Sequence, residues 1–250
     1  MPGANIQIWS VDIDQIDEKK ATETLSPQES IRASRLLHAG ARRAFVAMRF
    51  ILRRLLADWL DLAPETVMIA LSSYGKPFVK DGPYFSLSHS GNRGLLSLSD
   101  KSPIGVDIEV ARFDNDVEEL IGLSRIAFHQ KETDWLISLP VEERGPAFLR
   151  VWSRREALLK AAGVGIAVEP DCLLSDVDAK QGGPVFFAPP ISYSDIEWRR
   201  YAAGGGCLDL LGGESWWVRD LEVDGVIAAI AGVGCLPSDT NLWVEKMELP

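Results

Sequence analysis

From Ile31 to Ala57 the chain carries seven arginines, Arg32, Arg35, Arg42, Arg43, Arg49, Arg53 and Arg54, and not one aspartate or glutamate. Between Arg42 and Trp59, Phe45, Met48, Leu52, Leu55, Leu56 and Trp59 recur every three or four residues. That spacing lines apolar side chains along one face of an α-helix. A helix of this length must bury its stripe, so the fold has to place a sheet or another helix beside it. The opening run Ile6-Gln7-Ile8-Trp9-Ser10-Val11-Asp12-Ile13 alternates apolar and polar residues, the pattern of a half-buried strand. Ser26-Pro27-Gln28-Glu29 offers an N-cap, a proline at the first helical position and a reciprocal acidic partner for a helix start. The basic face of the long helix stands out because the whole chain has 26 Lys and Arg against 36 Asp and Glu, a formal net charge of -10. A negative overall field discourages nonspecific nucleic-acid or anionic-membrane binding. Any anionic ligand therefore needs a local basic patch, and this helix is the candidate.

Beyond it, Val67 to Ser72, the turn Tyr74-Gly75-Lys76-Pro77, and the runs Tyr84 to Ser88 and Leu95 to Ser99 around Gly91-Asn92-Arg93-Gly94 predict a hairpin region. Ile104 to Val110 reads as a strand, followed by polar and helical segments up to Pro140. A helix spans Phe148 to Ala162, with Gly163 and Gly165 placed to stop it. Trp216 to Val223, Asp224-Gly225 and Val226 to Val233 form a second strand, turn and strand. A long helix followed by a hairpin thus occurs twice. The repetition predicts an α+β fold of two similar α/β halves, residues 1–103 and 104–250, with the seam near Ser102-Pro103 and a ligand cleft between them. Cys172, Cys207 and Cys235 are too few and too far apart for a disulfide framework or a zinc knuckle, which suits a reducing compartment. No secretion-signal order and no apolar run of membrane-spanning length are present, so the cytoplasm is the expected location.

Three segments carry residues suited to chemistry. In Gly105-Val106-Asp107-Ile108-Glu109 the two carboxylates share one strand face while Ile108 packs behind. Such a pair suits a hard cation such as Mg²⁺, although taken alone it is far more often a solvated strand surface. In Trp152-Ser153-Arg154-Arg155-Glu156-Ala157-Leu158-Leu159-Lys160, Glu156 and Lys160 stand four apart on one helix face, as a surface ion pair or as acid and base. Ser86-Leu87-Ser88-His89-Ser90-Gly91 brings hydroxyls and an imidazole to a glycine turn, where a phosphate or a structural hydrogen bond is served equally well. Adjacent strand residues point to opposite faces, so neither Ser88 nor Ser90 is placed for activation by His89 as a nucleophile.

Together with Gly75-Lys76-Pro77 and Phe85, these segments resemble, in order and spacing, the signatures of the phosphopantetheinyl transferase superfamily, and the length and two-half layout resemble its Sfp-like, monomeric branch. The resemblance implies two α/β halves related by a pseudo-twofold axis, with coenzyme A in the cleft and its phosphopantetheine passed to a serine of an apo acyl or peptidyl carrier protein. It implies that Asp107, Glu109 and Glu156 hold Mg²⁺, that Glu156 is the base, and that Lys160 balances or protonates the departing 3′,5′-ADP. Arg43 matches a contact to the 3′-phosphate, Lys76, Ser88 and His89 match others around the nucleotide phosphates, and Arg32 is a looser match. Arg42 and Arg49 are expected to be solvated or paired with acids. The family's pattern is broken at Arg155, where Lys is usual, and at Glu29, where some relatives carry a basic residue. Val117 to Phe128, with Leu120, Ile121, Leu123, Ile126 and Phe128, resembles the variable carrier-contacting region. A Mg²⁺-dependent phosphohydrolase and a non-catalytic carrier-binding module are the alternatives.

Overall fold

The computed structural model describes residues 5–110, 117–163, 184–185, 216–233, 242 and 244–247. Strand β1 (Ile6–Asp12) leads through a 3-10 turn into helices α1 (Glu18–Glu23), α2 (Pro27–Ser34) and α3 (Ala39–Leu60). Helix α2 opens on a complete capping box: the Glu29 amide donates to the Ser26 hydroxyl, and the Ser26 amide donates to the Glu29 carboxylate. Helix α3 runs 22 residues and stops where Asp61 takes a left-handed φ of 55°. Its buried stripe, with Met48, Ile51, Leu52 and Leu56, packs on Val11, Phe85, Leu96 and Leu98. The stripe is thus covered by a sheet face, one of the two solutions its sequence allows.

Strands β2 (Ala70–Leu71) and β3 (Pro77–Phe78) make a short ribbon, and β4 (Tyr84–Ser90) and β5 (Arg93–Ser99) the hairpin. The hairpin is paired closer to its turn than the apolar alternation predicts: Ser90 pairs with Arg93, and Gly91-Asn92 alone make the turn, with Gly91 at φ 57°. Strand β6 (Ile104–Val110) follows, then α4 (Val117–Ala127), α5 (Gln130–Ser138), α6 (Val141–Ala162), β7 (Pro184–Val185), β8 (Trp216–Leu221), β9 (Val226–Val233) and β10 (Val244–Lys246). Helix α6 begins at Val141, well before Phe148. Pro146 lies inside it, and a proline reads in sequence as a helix breaker. Gly163 ends α6 at φ 75°.

Two four-stranded sheets result, ordered β10-β1-β5-β4 and β6-β9-β8-β7. The class is α+β, as the sequence indicates. Strand β10 pairs parallel to β1, Ile8 opposite Val244, so the end of the chain joins the sheet in which the chain begins. The sheets share apolar core: Ile8 and Leu95 of the first pack with Ile104, Val106, Ile108, Trp217 and Ile230 of the second. Among the described residues no helix is long and apolar enough to cross a membrane. The three cysteines and Gly165 lie outside the described residues.

Candidate active site

The strand period of two puts Ser86, Ser88 and Ser90 of β4 on one face, and all three hydroxyls meet β6. The Val106 amide donates to Ser86 Oγ at 3.0 Å and the Val110 amide to Ser90 Oγ at 3.1 Å. Ser88 donates to Asp107 Oδ1 and Ser90 to Glu109 Oε2, both at 2.8 Å. The two sheets are therefore joined here through serine side chains, and the same serines orient the paired carboxylates. Sequence reading treats these hydroxyls as candidate phosphate ligands and misses their grip on β6; the signal for it is the Ser-x-Ser-x-Ser spacing facing an Asp-x-Glu strand.

Helix α6 lies directly on β6. A Cβ on Gly105 would overlap the Ala157 carbonyl oxygen and the Ala161 backbone nitrogen, so glycine at this position lets helix and strand backbones touch. That closeness brings Lys160 over the strand, where its ammonium donates to Asp107 Oδ1 at 2.6 Å and to Ser88 Oγ at 2.8 Å. Glu156, one turn earlier, is half-buried. Burial raises its pKa, with Lys160 opposing and the Asp107 and Glu109 carboxylates adding to the rise. Burial likewise raises Glu109, against the hydrogen bonds from Ser90 and Trp152.

A cavity of about 270 Å³ lies beside this cluster, with Arg32, Arg49, Lys76, Ser86 and Lys160 in its wall. Lys76 reaches across to α6 and β6, its ammonium donating to the carbonyls of Ala161 at 3.1 Å and Ile104 at 3.4 Å. The Ala161 carbonyl belongs to the electronegative C-terminal end of α6. Burial nevertheless pulls the Lys76 pKa down to about 8. His89 stands on the opposite strand face from the serines, its pKa lowered by desolvation and then by Lys160. Arg43 does not line the cavity; its guanidinium is held by the Asp14 carboxylate at 3.6 Å and the Asp14 carbonyl at 3.1 Å.

The arginine run divides. Arg53, 2% exposed, donates to Glu29 Oε2 at 2.7 Å and to the carbonyls of Pro64 and Val67. Arg49 stands 3.8 Å from the same carboxylate, Arg42 3.9 Å from Glu18, and Arg54 over Phe50. Glu29, the family departure, is thus a counter-ion beneath the helix. Arg32 sits over Phe45 at 5.3 Å and faces the cavity together with Arg49. In the segment Val117 to Phe128, Leu120, Ile121 and Phe128 are core, whereas Leu123 and Ile126 are exposed.

Among the described residues, no three His, Cys, Asp or Glu side chains converge as a ready-made metal site. The donor chemistry still suits a hard cation. Asp107 Oδ2 is buried without a hydrogen-bond partner, and Glu109 and Glu156 are both raised in part by the Asp107 carboxylate. The Asp107 carboxylate is paired with the Lys160 ammonium, and a divalent ion would further offset the negative charge that Asp107, Glu109 and Glu156 bring together.

The model of the 4′-phosphopantetheinyl transferase superfamily matches residues 103–205. The chain is 37% identical over 169 residues to the 4′-phosphopantetheinyl transferase HetI of Nostoc sp., covering 65% of this chain and 70% of that one. It is 34% identical over 165 residues to a putative 4′-phosphopantetheinyl transferase of Synechocystis sp., covering 64% and 66%. With the 4′-phosphopantetheinyl transferase Sfp of Bacillus subtilis it shares 24% identity over 196 residues, covering 78% and 84%.

Proposed function

The chain belongs to the 4′-phosphopantetheinyl transferase superfamily, and from that premise we propose that it moves the phosphopantetheine of coenzyme A onto a serine of an apo acyl or peptidyl carrier protein. The observation that carries the reading is the meeting of Ser88, Asp107 and Lys160, from three elements, at a cavity walled by Arg32, Arg49 and Lys76. Guanidinium and ammonium groups are the natural partners of coenzyme A phosphates. Arg32, Lys76, Ser88 and His89 hold the nucleotide phosphates, and Arg43 takes the 3′-phosphate once released from Asp14.

Asp107, Glu109 and Glu156 would hold Mg²⁺, which would supply charge neutralisation at the diphosphate. Glu156, its pKa raised by burial, accepts the proton of the carrier serine hydroxyl, directly or through a water. The serine oxygen forms a bond to the phosphorus nearer pantetheine as the anhydride bond breaks, and 3′,5′-ADP leaves. Lys160 balances the charge that gathers on this leaving group. The two halves, each with a 22-residue helix packed on a four-stranded sheet, are read as pseudo-twofold repeats split at 103/104, working as a cytoplasmic monomer.

The test is release of 3′,5′-ADP from coenzyme A with and without an apo carrier. Release that requires the carrier, in equal amount to carrier modified, supports transfer. Release without carrier indicates the phosphohydrolase, and coenzyme A binding with no release in the presence of any carrier indicates a binding module.

A further inference from the structure

We infer that Arg154 and Arg155 are positioning residues: ion pairs from these two buried arginines to different neighbours fix the roll of α6 and so set where Glu156 and Lys160 stand relative to Asp107. Arg154, 1% exposed, grips Asp220 of β8 through two bonds, Nε to Oδ1 at 2.7 Å and Nη2 to Oδ2 at 2.9 Å. Arg155 donates from Nη1 to Glu132 Oε2 at 2.8 Å, and Glu132 on α5 is fully buried. That carboxylate also caps α5 by accepting the His129 amide at 3.0 Å. The Arg155 guanidinium lies 5.9 Å from the centre of the Phe128 ring.

Successive residues are about 100° apart around a helix, so the two arginines pull on α6 from two directions, toward β8 and toward α5. The contact at Gly105 leaves no gap between helix and strand. Movement toward β6 is thereby blocked, and the two pairs restrain rotation about the helix axis. Glu156 follows Arg155 directly, so a change of roll there displaces the Glu156 carboxylate and, one turn on, the Lys160 ammonium. A bidentate pair fixes direction as well as distance. Arg155, which departs from the family's usual Lys, faces α5 and does not line the cavity.

The inference rests on the proposed transfer reaction, and two readouts keep them separable: steady-state kinetics, and the NMR signal of the Lys160 side-chain ammonium, shielded by its contacts with Asp107 and Ser88. In the full chain, the paired variant Arg155→Met with Glu132→Gln removes both charges of this pair together. It is expected to lower kcat about tenfold or more, as small misplacements of reacting groups do, with KM for coenzyme A within about threefold. It also loses the shielded ammonium signal, while Arg155→Lys restores the signal and brings kcat back to within about threefold. Should the paired variant fail to fold, Asp220→Asn carries the test, with kcat lowered about fivefold at near-constant KM. A folded variant with unchanged kcat and ammonium signal overturns the inference and leaves the pairs a stability role. A tenfold rise in KM at constant kcat overturns it in favour of direct phosphate binding by Arg155. Wild-type chain that modifies no carrier removes the proposed reaction alone, since the ammonium signal still decides the positioning.

Discussion

At the residue scale, the site is a set of charges whose burial sets their chemistry. Asp107 takes a hydrogen bond from Ser88 and an ion pair from Lys160 yet keeps one oxygen bare. Replacing Asp107 or Glu156 by alanine is expected to lower transfer at least about a hundredfold, the loss typical of removing a general base or a metal ligand. Turnover of the folded variants under saturating coenzyme A checks it. Lys76 gives a pH signature. Its pKa of about 8 lies below the ordinary lysine value, so its charge is present below that pH and lost as pH rises through it. Coenzyme A binding should weaken roughly tenfold between about pH 7 and about pH 9, the worth of one charge-assisted hydrogen bond. The stability term has the opposite sign. The unfolded chain holds this proton more tightly, so the stability contribution from Lys76 rises from about pH 8 toward the ordinary lysine range. Calorimetric titrations across the range should show the decline in affinity, and Lys76→Met should flatten it.

At the scale of elements, three features organise the site: the serine face of β4, the seat of α6 on Gly105, and the Glu29 counter-ion beneath α3. Ser90→Ala removes a hydrogen bond to Glu109 and leaves the Val110 amide without its acceptor. Loss of a residue that orients a metal ligand typically weakens metal binding about 10–100-fold, and a Mg²⁺ titration followed by calorimetry should show a loss in that range. Glu29→Ala strands Arg53 in the core. Breaking a buried pair costs about 3–5 kcal/mol, so urea unfolding should report a loss of that order. The capping box, the α3 stripe and strands β4, β5, β6, β8 and β9 were legible in the sequence because each is a local pattern of period, cap or turn. Strand β10 was not. Three residues with a single apolar one carry no period, and their place beside β1 is set by a partner more than 200 residues away. Pro146 hid the first turns of α6 for a local reason, since helix context overrides a residue's usual preference.

At the scale of the molecule, the acidic chain brings cations from separate elements to one cavity: Arg32 from α2, Lys76 from the turn before β3 and Lys160 from α6. Motif order in the sequence pointed to these side chains individually. The sequence did not separate the arginines that face the cavity from those that hold α3 in place, because that division depends on where Glu18, Asp14 and Glu29 fall in space. Nor did it reveal that the grip on α6 comes from Glu132 and Asp220, which lie 23 residues before Arg155 and 66 after Arg154. The most direct measurement is the intact mass of a panel of apo carrier proteins after incubation with coenzyme A, Mg²⁺ and either the wild-type chain or Asp107→Ala. Transfer predicts that at least one carrier becomes heavier by one phosphopantetheine at its acceptor serine with the wild type and stays unmodified with Asp107→Ala. Carriers of unchanged mass throughout the panel, or equal modification by both proteins, would contradict it.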